Sequence, residues 1–194
     1  MRAPLRPLSR VPARAQWLLT TDGVRISAHH DPPARDGARD VAVVTAHGFT
    51  MSWRSPASRR VARLLSEDAG VVSFDFRGHG DSSGHTTMGD LEVLDVDAAA
   101  RWAQVLGYRR VATLGWSMGA AVVVRHAGLQ GTELPAAERL FVRPDAVAAV
   151  SGPSRWHYTG TTAMRRVDRG ITTRAGRVVV HHLFGTRVLP NGWV

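Results

Sequence analysis

Cysteine is absent from the 194 residues of this chain. Its absence excludes disulfide bonds, thiolate metal sites and a cysteine nucleophile. Lysine is absent as well, so all 25 basic residues are arginines. No apolar run approaches the roughly 20 residues that a membrane span requires. We therefore expect no membrane segment and no membrane partner.

The first 14 residues lack both acidic side chains and an apolar core segment. A secretory signal requires such a segment, and the prolines spaced among the arginines would break the amphipathic helix of a transit peptide. We therefore expect residues 1–14 to be a flexible arm and the protein to be cytoplasmic.

The formal net charge of +9 raises the question of a nucleic-acid partner. From Ala146 onward there are seven arginines and one acid, Asp168, whereas residues 15–145 are close to balanced. A polyanion is bound by a dense basic patch. The chain has arginine without lysine and is rich in alanine, valine and glycine. A GC-rich coding sequence produces this amino-acid composition without selection for phosphate contacts. We expect no nucleic-acid partner.

Short apolar runs alternate with helical spacings along the chain. An Asp-Gly turn in residues 21–24 separates two alternating runs, which predicts a β-hairpin within residues 16–30. Further predicted strands cover residues 41–46, 71–75, 110–114 and 145–151, and predicted helices cover 55–68, 88–106 and the run from 120. This alternation predicts an α/β protein with a doubly wound, mostly parallel sheet. Reactive groups should gather at the carboxyl ends of its strands.

Residues 115–119 read Gly-Trp-Ser-Met-Gly between a predicted strand and a predicted helix. A G-x-S-x-G sequence at such a junction is the signature of a nucleophile elbow. The sharp turn strains the backbone at Ser117, and Gly115 and Gly119 relieve the crowding because neither carries a Cβ. The pattern predicts that the Ser117 hydroxyl stands clear of the sheet.

Three motifs in this order resemble the α/β-hydrolase superfamily, in particular its esterase-like and serine-aminopeptidase-like members. They are His47-Gly48-Phe49 after a buried strand, Asp-Phe-Arg-Gly-His-Gly-Asp-Ser at residues 75–82, and the pentapeptide at 115–119. The resemblance covers residues 41 to about 153. It implies the α/β-hydrolase fold, acyl-transfer chemistry, and a mobile cap inserted after the strand that ends near Ser151.

The same resemblance assigns roles to individual residues. Ser117 would be the nucleophile, and the main-chain N–H groups of Phe49 and Met118 would form the oxyanion hole. Such donors stabilise charge that develops only in the transition state, and losing one typically costs about 3 kcal/mol. Gly48 would let the chain bend so that the Phe49 N–H points into the site. His47 is expected to make structural hydrogen bonds and not to act as a base.

The loop at 75–82 is expected to be scaffold. Arg77, His79 and Asp81 lie in a tight glycine-rich turn, which we expect to pack beneath the site. Asp75 precedes Ser117, whereas the family order is serine, then acid, then histidine. Asp75 is therefore not expected to be the triad acid. The loop also lacks the spacing of dinucleotide-binding and phosphate-binding loops, and the histidines are scattered. We expect neither a cofactor nor a metal.

A serine nucleophile requires a base, and the base requires an orienting acid. Glu133 and Glu138 lie in a predicted linker, and Asp145 begins its strand at the end opposite the site. In relatives the acid follows the next strand and the histidine the one after, and neither strand is recognised in this chain. The acid and the histidine of the triad are therefore predicted to be missing.

Two interpretations follow from this gap. In the first, the chain is truncated after the start of the cap, with residues 15–154 as the hydrolase core and 155–194 as a partial helical cap. In the second, a shortened relative has recruited substitutes, drawn from His157, His181 and His182 with Asp168. The lopsided charge favours truncation, because a missing acidic segment would rebalance it.

The predicted function is hydrolysis of ester bonds, and less readily of amide bonds, in a small-molecule acyl substrate. The reaction would pass through an acyl-enzyme on Ser117. The alternative is a non-catalytic α/β-hydrolase-like binding protein, which the missing acid and base motivate.

Overall fold

The computed structural model describes residues 13–35, 40–153 and 161–189. Its strands are β1 (Arg14–Leu19), β2 (Arg25–Asp31), β3 (Val41–Ala46), β4 (Gly70–Phe74), β5 (Arg110–Trp116) and β6 (Ala146–Val150). Its helices are α1 (Pro56–Leu65), α2 (Glu92–Val105), α3 (Met118–Gly128), α4 (Thr162–Thr172) and α5 (Arg174–Phe184). A single 3-10 turn, Ala136–Glu138, precedes β6.

The strands form one sheet in the order β1-β2-β4-β3-β5-β6. Three pairings are parallel, β4 with β3, β3 with β5 and β5 with β6, and the two pairings of β2 are antiparallel. Right-handed crossovers place α1 on one face of the sheet and α2 and α3 on the other. In agreement, α2 and α3 pack against each other. The doubly wound, mostly parallel α/β sheet is confirmed.

The predicted hairpin is formed by β1 and β2, with Arg14 opposite His30 and Leu19 opposite Arg25. Gly23 adopts a φ of 85°, which an Asp-Gly turn supplies at little steric cost. β1 begins at Arg14, one residue before the expected boundary of the core. Residues 1–12 of the expected arm lie outside the described part of the chain, as does the expected boundary at residue 154 between core and cap.

The main core lies between the sheet and α2. Its fully buried apolar side chains include Ile26, Val44, Val72, Phe74 and Leu94. The small residues of α2 bring that helix close to the strands, because three consecutive alanines, 98–100, are buried against them. This packing fixes the distance between α2 and the sheet. α2 also contacts α3, the helix that follows β5, and so supports it.

α2 begins at Glu92, so the helix predicted from residue 88 starts too early. Met88 has a φ of 59° and Gly89 a φ of 112°, values that interrupt a right-handed helix. The buried Glu92 carboxylate accepts hydrogen bonds from the main-chain N–H groups of Thr87 and Gly89, both at 2.8 Å. A side chain inside the helix thus holds the preceding turn in a non-helical shape.

β6 is exposed along its whole length. Strands of parallel sheets are usually covered on both faces, and within the described residues no strand pairs with β6 on the side away from β5. α4 and α5 pack chiefly against each other. Val178 to Val180 belong to α5, and Val188 makes one isolated bridge to Thr86. None of the helices in the described ranges is both long enough and apolar enough to cross a membrane.

Candidate active site

Ser117 occupies a sharp turn between β5 and α3. Its φ of 51° and ψ of −118° lie in a region that residues with a Cβ rarely adopt, so the backbone is strained there. The residue is exposed, whereas the next side chain, Met118, is fully buried. α3 begins at Met118, directly after the turn. The strand, the strained serine and the helix follow each other as the pentapeptide predicts.

Two glycines allow this turn to pack closely. A Cβ on Gly115 would lie 2.2 Å from the carbonyl oxygen of Gly119. A Cβ on Gly119 would lie 2.3 Å from the carbonyl oxygen of Ala46, at the end of β3. Both distances are far below van der Waals contact, so each position requires glycine. The second contact also holds the first turn of α3 against the loop that follows β3.

Ser117 lies at the switch point of the sheet. The chain leaves β3 towards α1 on one face and leaves β5 towards α3 on the other, which opens a crevice between the carboxyl ends of these neighbouring strands. Across this crevice, a Cβ built on Gly48 would lie 3.4 Å from the Cβ of Ser117. The structure therefore brings the His-Gly-Phe loop and the serine turn together.

The expected oxyanion donors lie on these two segments. Phe49 follows Gly48 and packs partly against the core, and Met118 is the first residue of α3. Within the described residues, neither main-chain N–H donates a hydrogen bond. The N–H of Met118 has no acceptor inside its own helix because the first turn of a helix leaves its donors unused. Both groups thus lack an acceptor among the described residues, as donors reserved for an incoming oxygen would.

His47 is buried, and both of its ring nitrogens are occupied by the main chain. The N–H of Phe76 donates to Nε2 at 3.1 Å, so Nδ1 carries the proton and donates to the carbonyl oxygen of Gly48 at 2.8 Å. Burial lowers the pKa of His47 to about 4, although the bond to Gly48 acts in the opposite direction. The imidazole is therefore neutral at physiological pH and already has two partners.

Asp75 is buried and holds two loops together. Its carboxylate accepts from the N–H of Trp53 at 2.8 Å and from the N–H of Asp81 at 3.3 Å, and Arg54 lies 3.3 Å away. Burial raises the pKa of Asp75, against the effect of these donors. Its bonds run to the loop after β3 and to its own glycine-rich loop, which agrees with the expected supporting role.

Arg77 lies in a buried ion cluster. Its guanidinium contacts the Asp22 carboxylate at 2.7 Å and the Asp95 carboxylate at 2.9 Å. The Asp95 carboxylate also accepts from the N–H of Arg77 at 2.8 Å. Burial opposes the charge, but the two carboxylates together hold the pKa of Arg77 above its usual range. This cluster ties the hairpin turn and α2 to the loop of residues 75–82.

Of the downstream acids in the sequence, three lie where they were expected. Asp145 accepts from the N–H of Val111 at 2.7 Å, and its own N–H donates to the Val111 carbonyl at 2.8 Å. Val111 is at the start of β5, so Asp145 lies at the opposite end of the sheet from Ser117. Glu133 and Glu138 are both on the connection between α3 and β6 and are not buried.

The candidates for a substitute triad are dispersed. His181 and His182 are exposed on α5, Asp168 is exposed on α4, and His157 lies outside the described residues. Between described residues, close histidine–carboxylate contacts occur at His29–Asp31 and His126–Asp97, and neither pair is hydrogen-bonded to Ser117. The described ranges also hold no group of three residues suited to a metal ion.

Two further residues near the site, Thr50 and Ser151, are strained. Thr50 has a φ of 62° and Ser151 a φ of 53°, and they follow β3 and β6. Four non-glycine residues of the described ranges have a left-handed φ, and three of them, Thr50, Ser117 and Ser151, lie at the carboxyl ends of three adjacent strands. Serine and threonine carry no sequence signal for this backbone shape, so no pattern could have revealed it. Strain of this kind often collects at functional sites.

The geometry agrees with a comparison of sequences. The sequence profile of the Alpha/beta hydrolase family matches residues 43–193. The chain belongs to this family. The match begins inside β3 and includes the loop after it, the serine turn, β6 and the α4–α5 pair.

Two solved structures are similar to this α/β hydrolase. The esterase Pf2001 of Pyrococcus furiosus superposes with a TM-score of 0.66 and 29% identity, over 87% of this chain and 62% of the esterase. An α/β serine hydrolase without lid from Xanthomonas campestris gives a TM-score of 0.63 and 25% identity, over 80% of this chain and 68% of that one.

A further similarity is to the uncharacterized protein YnbC of Escherichia coli, which is 31% identical over 121 residues. The aligned part is 59% of this chain and 20% of that protein. The chain thus spans about 60% of the length of Pf2001 and matches a fifth of YnbC.

Proposed function

We propose that this protein is a serine hydrolase that cleaves ester bonds in a small-molecule acyl substrate through an acyl-enzyme on Ser117. The observation that carries the proposal is the strained, exposed Ser117 beside Gly48 at the switch point of the sheet. Its similarity to the esterase Pf2001 supports ester bonds as the substrate class. Amides are a slower second class, because their leaving group requires protonation.

In this mechanism the Ser117 Oγ attacks the carbonyl carbon of the ester. The carbonyl oxygen takes up negative charge and accepts hydrogen bonds from the N–H groups of Phe49 and Met118. Preorganised donors of this kind lower the barrier because they need no rearrangement when the charge develops. The ester C–O bond then breaks, and the base that took the Ser117 proton passes it to the leaving alcohol. Water hydrolyses the acyl-enzyme, which releases the acid and restores the Ser117 hydroxyl.

The reaction also requires a base to take the Ser117 proton. His47 is unsuited because both of its nitrogens are bonded to the main chain. We propose that the base and its acid come from outside the described residues, and that the described residues by themselves turn over slowly. Removing triad partners typically costs several powers of ten in rate and leaves the contribution of the oxyanion hole.

A non-catalytic binding protein of the same fold is the second candidate. The observation that favours it is the absence of a histidine–carboxylate pair in contact with Ser117 among the described residues. Such a protein would use the crevice beside Ser117 to bind a small acyl compound without cleaving it.

Labelling with a fluorophosphonate probe separates the two candidates. The full chain is treated with the probe, and the modified peptide is identified by mass spectrometry. We expect phosphonylation at Ser117 and none in Ser117→Ala. Release of p-nitrophenol from p-nitrophenyl acetate should also depend on Ser117. A Ser117 that stays unlabelled in a folded chain after prolonged exposure to excess probe would favour the binding protein and refute the hydrolase.

A further inference from the structure

A cluster of aromatic rings lies beneath the loop that follows β3. The His79 ring packs edge-on against Phe49, with 5.7 Å between ring centroids and an interplanar angle of 80°. It makes a similar contact with His47 at 5.2 Å and 63°. His47 in turn contacts Phe76 at 5.0 Å. The loop after β3 and the glycine-rich loop after β4 are thus joined ring to ring.

The two imidazoles are held in place by the main chain. His79 Nδ1 bonds to the carbonyl oxygen of Arg77 at 3.0 Å, which fixes the ring within its own loop. The other nitrogen, Nε2, is buried and has no hydrogen-bond partner within the described residues. At Nε2 the His79 imidazole therefore makes no hydrogen bond to the described residues, and it meets the neighbouring rings through its edge. Edge-to-face ring contacts of this kind fix relative orientation.

The ring contact between His79 and Phe49 is important because of the main-chain N–H that Phe49 provides. Under the proposed function, the Phe49 N–H is one of two donors to the oxyanion, and its direction depends on how the loop after Gly48 is held. The next residue, Thr50, is in the left-handed region, so the loop is strained and requires support from its surroundings. The Phe49 ring is the side chain next to this donor, and the His79 ring packs against it.

We propose that His79 is a positioning residue whose ring holds Phe49 so that the Phe49 N–H faces Ser117. This inference rests on the proposed function for its kinetic consequence. The placement of Phe49 by His79 is a separate, structural statement that can be measured without turnover.

Two substitutions separate the ring contact from the hydrogen bond. His79→Phe keeps an aromatic ring beside Phe49 and His47 but removes the bond to the Arg77 carbonyl. His79→Asn keeps a donor that can reach that carbonyl but removes the ring. His126→Asn is the matched control, since it removes another fully buried imidazole, on α3, that has no ring contact with Phe49.

The first measurement is the amide resonance of Phe49 in the 15N-labelled full chain. We expect His79→Asn to shift or broaden this resonance, and His79→Phe and His126→Asn to leave it in place. If His79→Asn does not fold, His79→Gln, which also lacks the ring, takes its place. A Phe49 resonance that stays in place without the ring, or that moves as much in His79→Phe, would overturn the proposal.

The second measurement is the acylation rate with p-nitrophenyl acetate. A misdirected donor should lower the rate constant for acylation roughly 10- to 100-fold in His79→Asn. The apparent KM should stay the same, because the donor acts on the transition state, and His79→Phe should stay near the native rate. An equal loss of acylation rate in His79→Asn and His79→Phe would show that His79 has only a structural role, and would overturn the proposal. A native chain that is not acylated at all, with the Phe49 resonance still sensitive to the ring, would refute the hydrolase and leave the positioning of Phe49 intact.

Discussion

The main-chain N–H of Ser117 donates a hydrogen bond of 3.0 Å to the carbonyl oxygen of Val150. This bond joins the serine turn to the last residue of β6, beyond which the chain enters the left-handed Ser151. The conformation of Ser117 therefore depends on a strand that is exposed along its length. Whatever covers or displaces β6 acts directly on the proposed nucleophile.

The backbone strain at Ser117 should lower the free energy of unfolding, and two variants at this position measure by how much. Ser117→Gly and Ser117→Ala both remove the hydroxyl, but only glycine adopts this φ and ψ without steric cost. We expect Ser117→Gly to be more stable than Ser117→Ala by about 1 to 2 kcal/mol. Urea unfolding of the two variants measures the difference. Equal stabilities would show that the turn is unstrained in solution.

The close contact at Gly119 predicts a large loss of stability. Gly119→Ala would force a Cβ to within 2.3 Å of the Ala46 carbonyl and 2.6 Å of the His47 carbonyl, both of which are backbone atoms. Displacing them should lower the free energy of unfolding by at least about 2 kcal/mol. It should also slow the labelling of Ser117, because the loop after β3 moves.

Gly128 is the matched control on the same helix. A Cβ there meets nothing within 4 Å, and alanine is the better helix former. We expect Gly128→Ala to leave stability unchanged or raise it by up to about 1 kcal/mol. Losses of similar size at Gly119 and Gly128 would mean that the contact with β3 is not what requires glycine.

The buried histidines predict a dependence of stability on pH. Burial lowers the pKa of His47 to about 4, and burial with His47 nearby lowers that of His79 to about 3. In the unfolded chain both titrate near 6.5. As pH falls below 6.5, the unfolded chain binds protons that the folded chain does not, so the free energy of unfolding falls. The slope is up to roughly 1.4 kcal/mol per pH unit for each histidine.

Urea unfolding at several pH values between 7.5 and 5 tests this dependence. Most carboxylates titrate below this window. Asp95 is an exception, because burial raises its pKa to about 7 and its protonation in the folded chain opposes the effect of the histidines. His79→Phe should lose the contribution of one histidine and show a shallower slope than the native chain. Asp95 contributes equally to both proteins, so an equal slope in the native chain and in His79→Phe would contradict the neutral, buried state of the His79 ring.

The Arg77 ion cluster predicts strong coupling between its members. Arg77→Leu would leave the buried Asp95 carboxylate without its partner and should cost about 3 to 5 kcal/mol. Arg77→Leu with Asp95→Leu removes both charges and should recover at least half of that loss. Urea unfolding of the two single variants and the double variant gives the coupling energy. Additive losses would show that the two side chains act independently.

Much of the fold was predictable because its signals are local. The Asp-Gly turn, the short apolar runs and the helical spacing each reflect a few neighbouring residues, and together they predicted the hairpin and the strand order along the chain. The serine turn was predictable for the same reason, since glycines flank Ser117 within five residues. The start of α2 was predicted wrongly, because helical spacing does not show that the buried Glu92 carboxylate holds residues 87–89 in a non-helical turn.

The sequence alone determined that a strained serine stands between a strand and a helix. The small neighbours that this turn requires, Gly115 and Gly119, belong to the same pentapeptide. Only the tertiary structure decided what surrounds it. Three such contacts are the bond from Phe76 to His47, the His79 ring against Phe49 and the left-handed Ser151 beside Ser117. They join residues that are 29 to 34 positions apart in the chain. No periodicity or local motif records such contacts, since they arise only when the strands are ordered and the loops at their carboxyl ends meet.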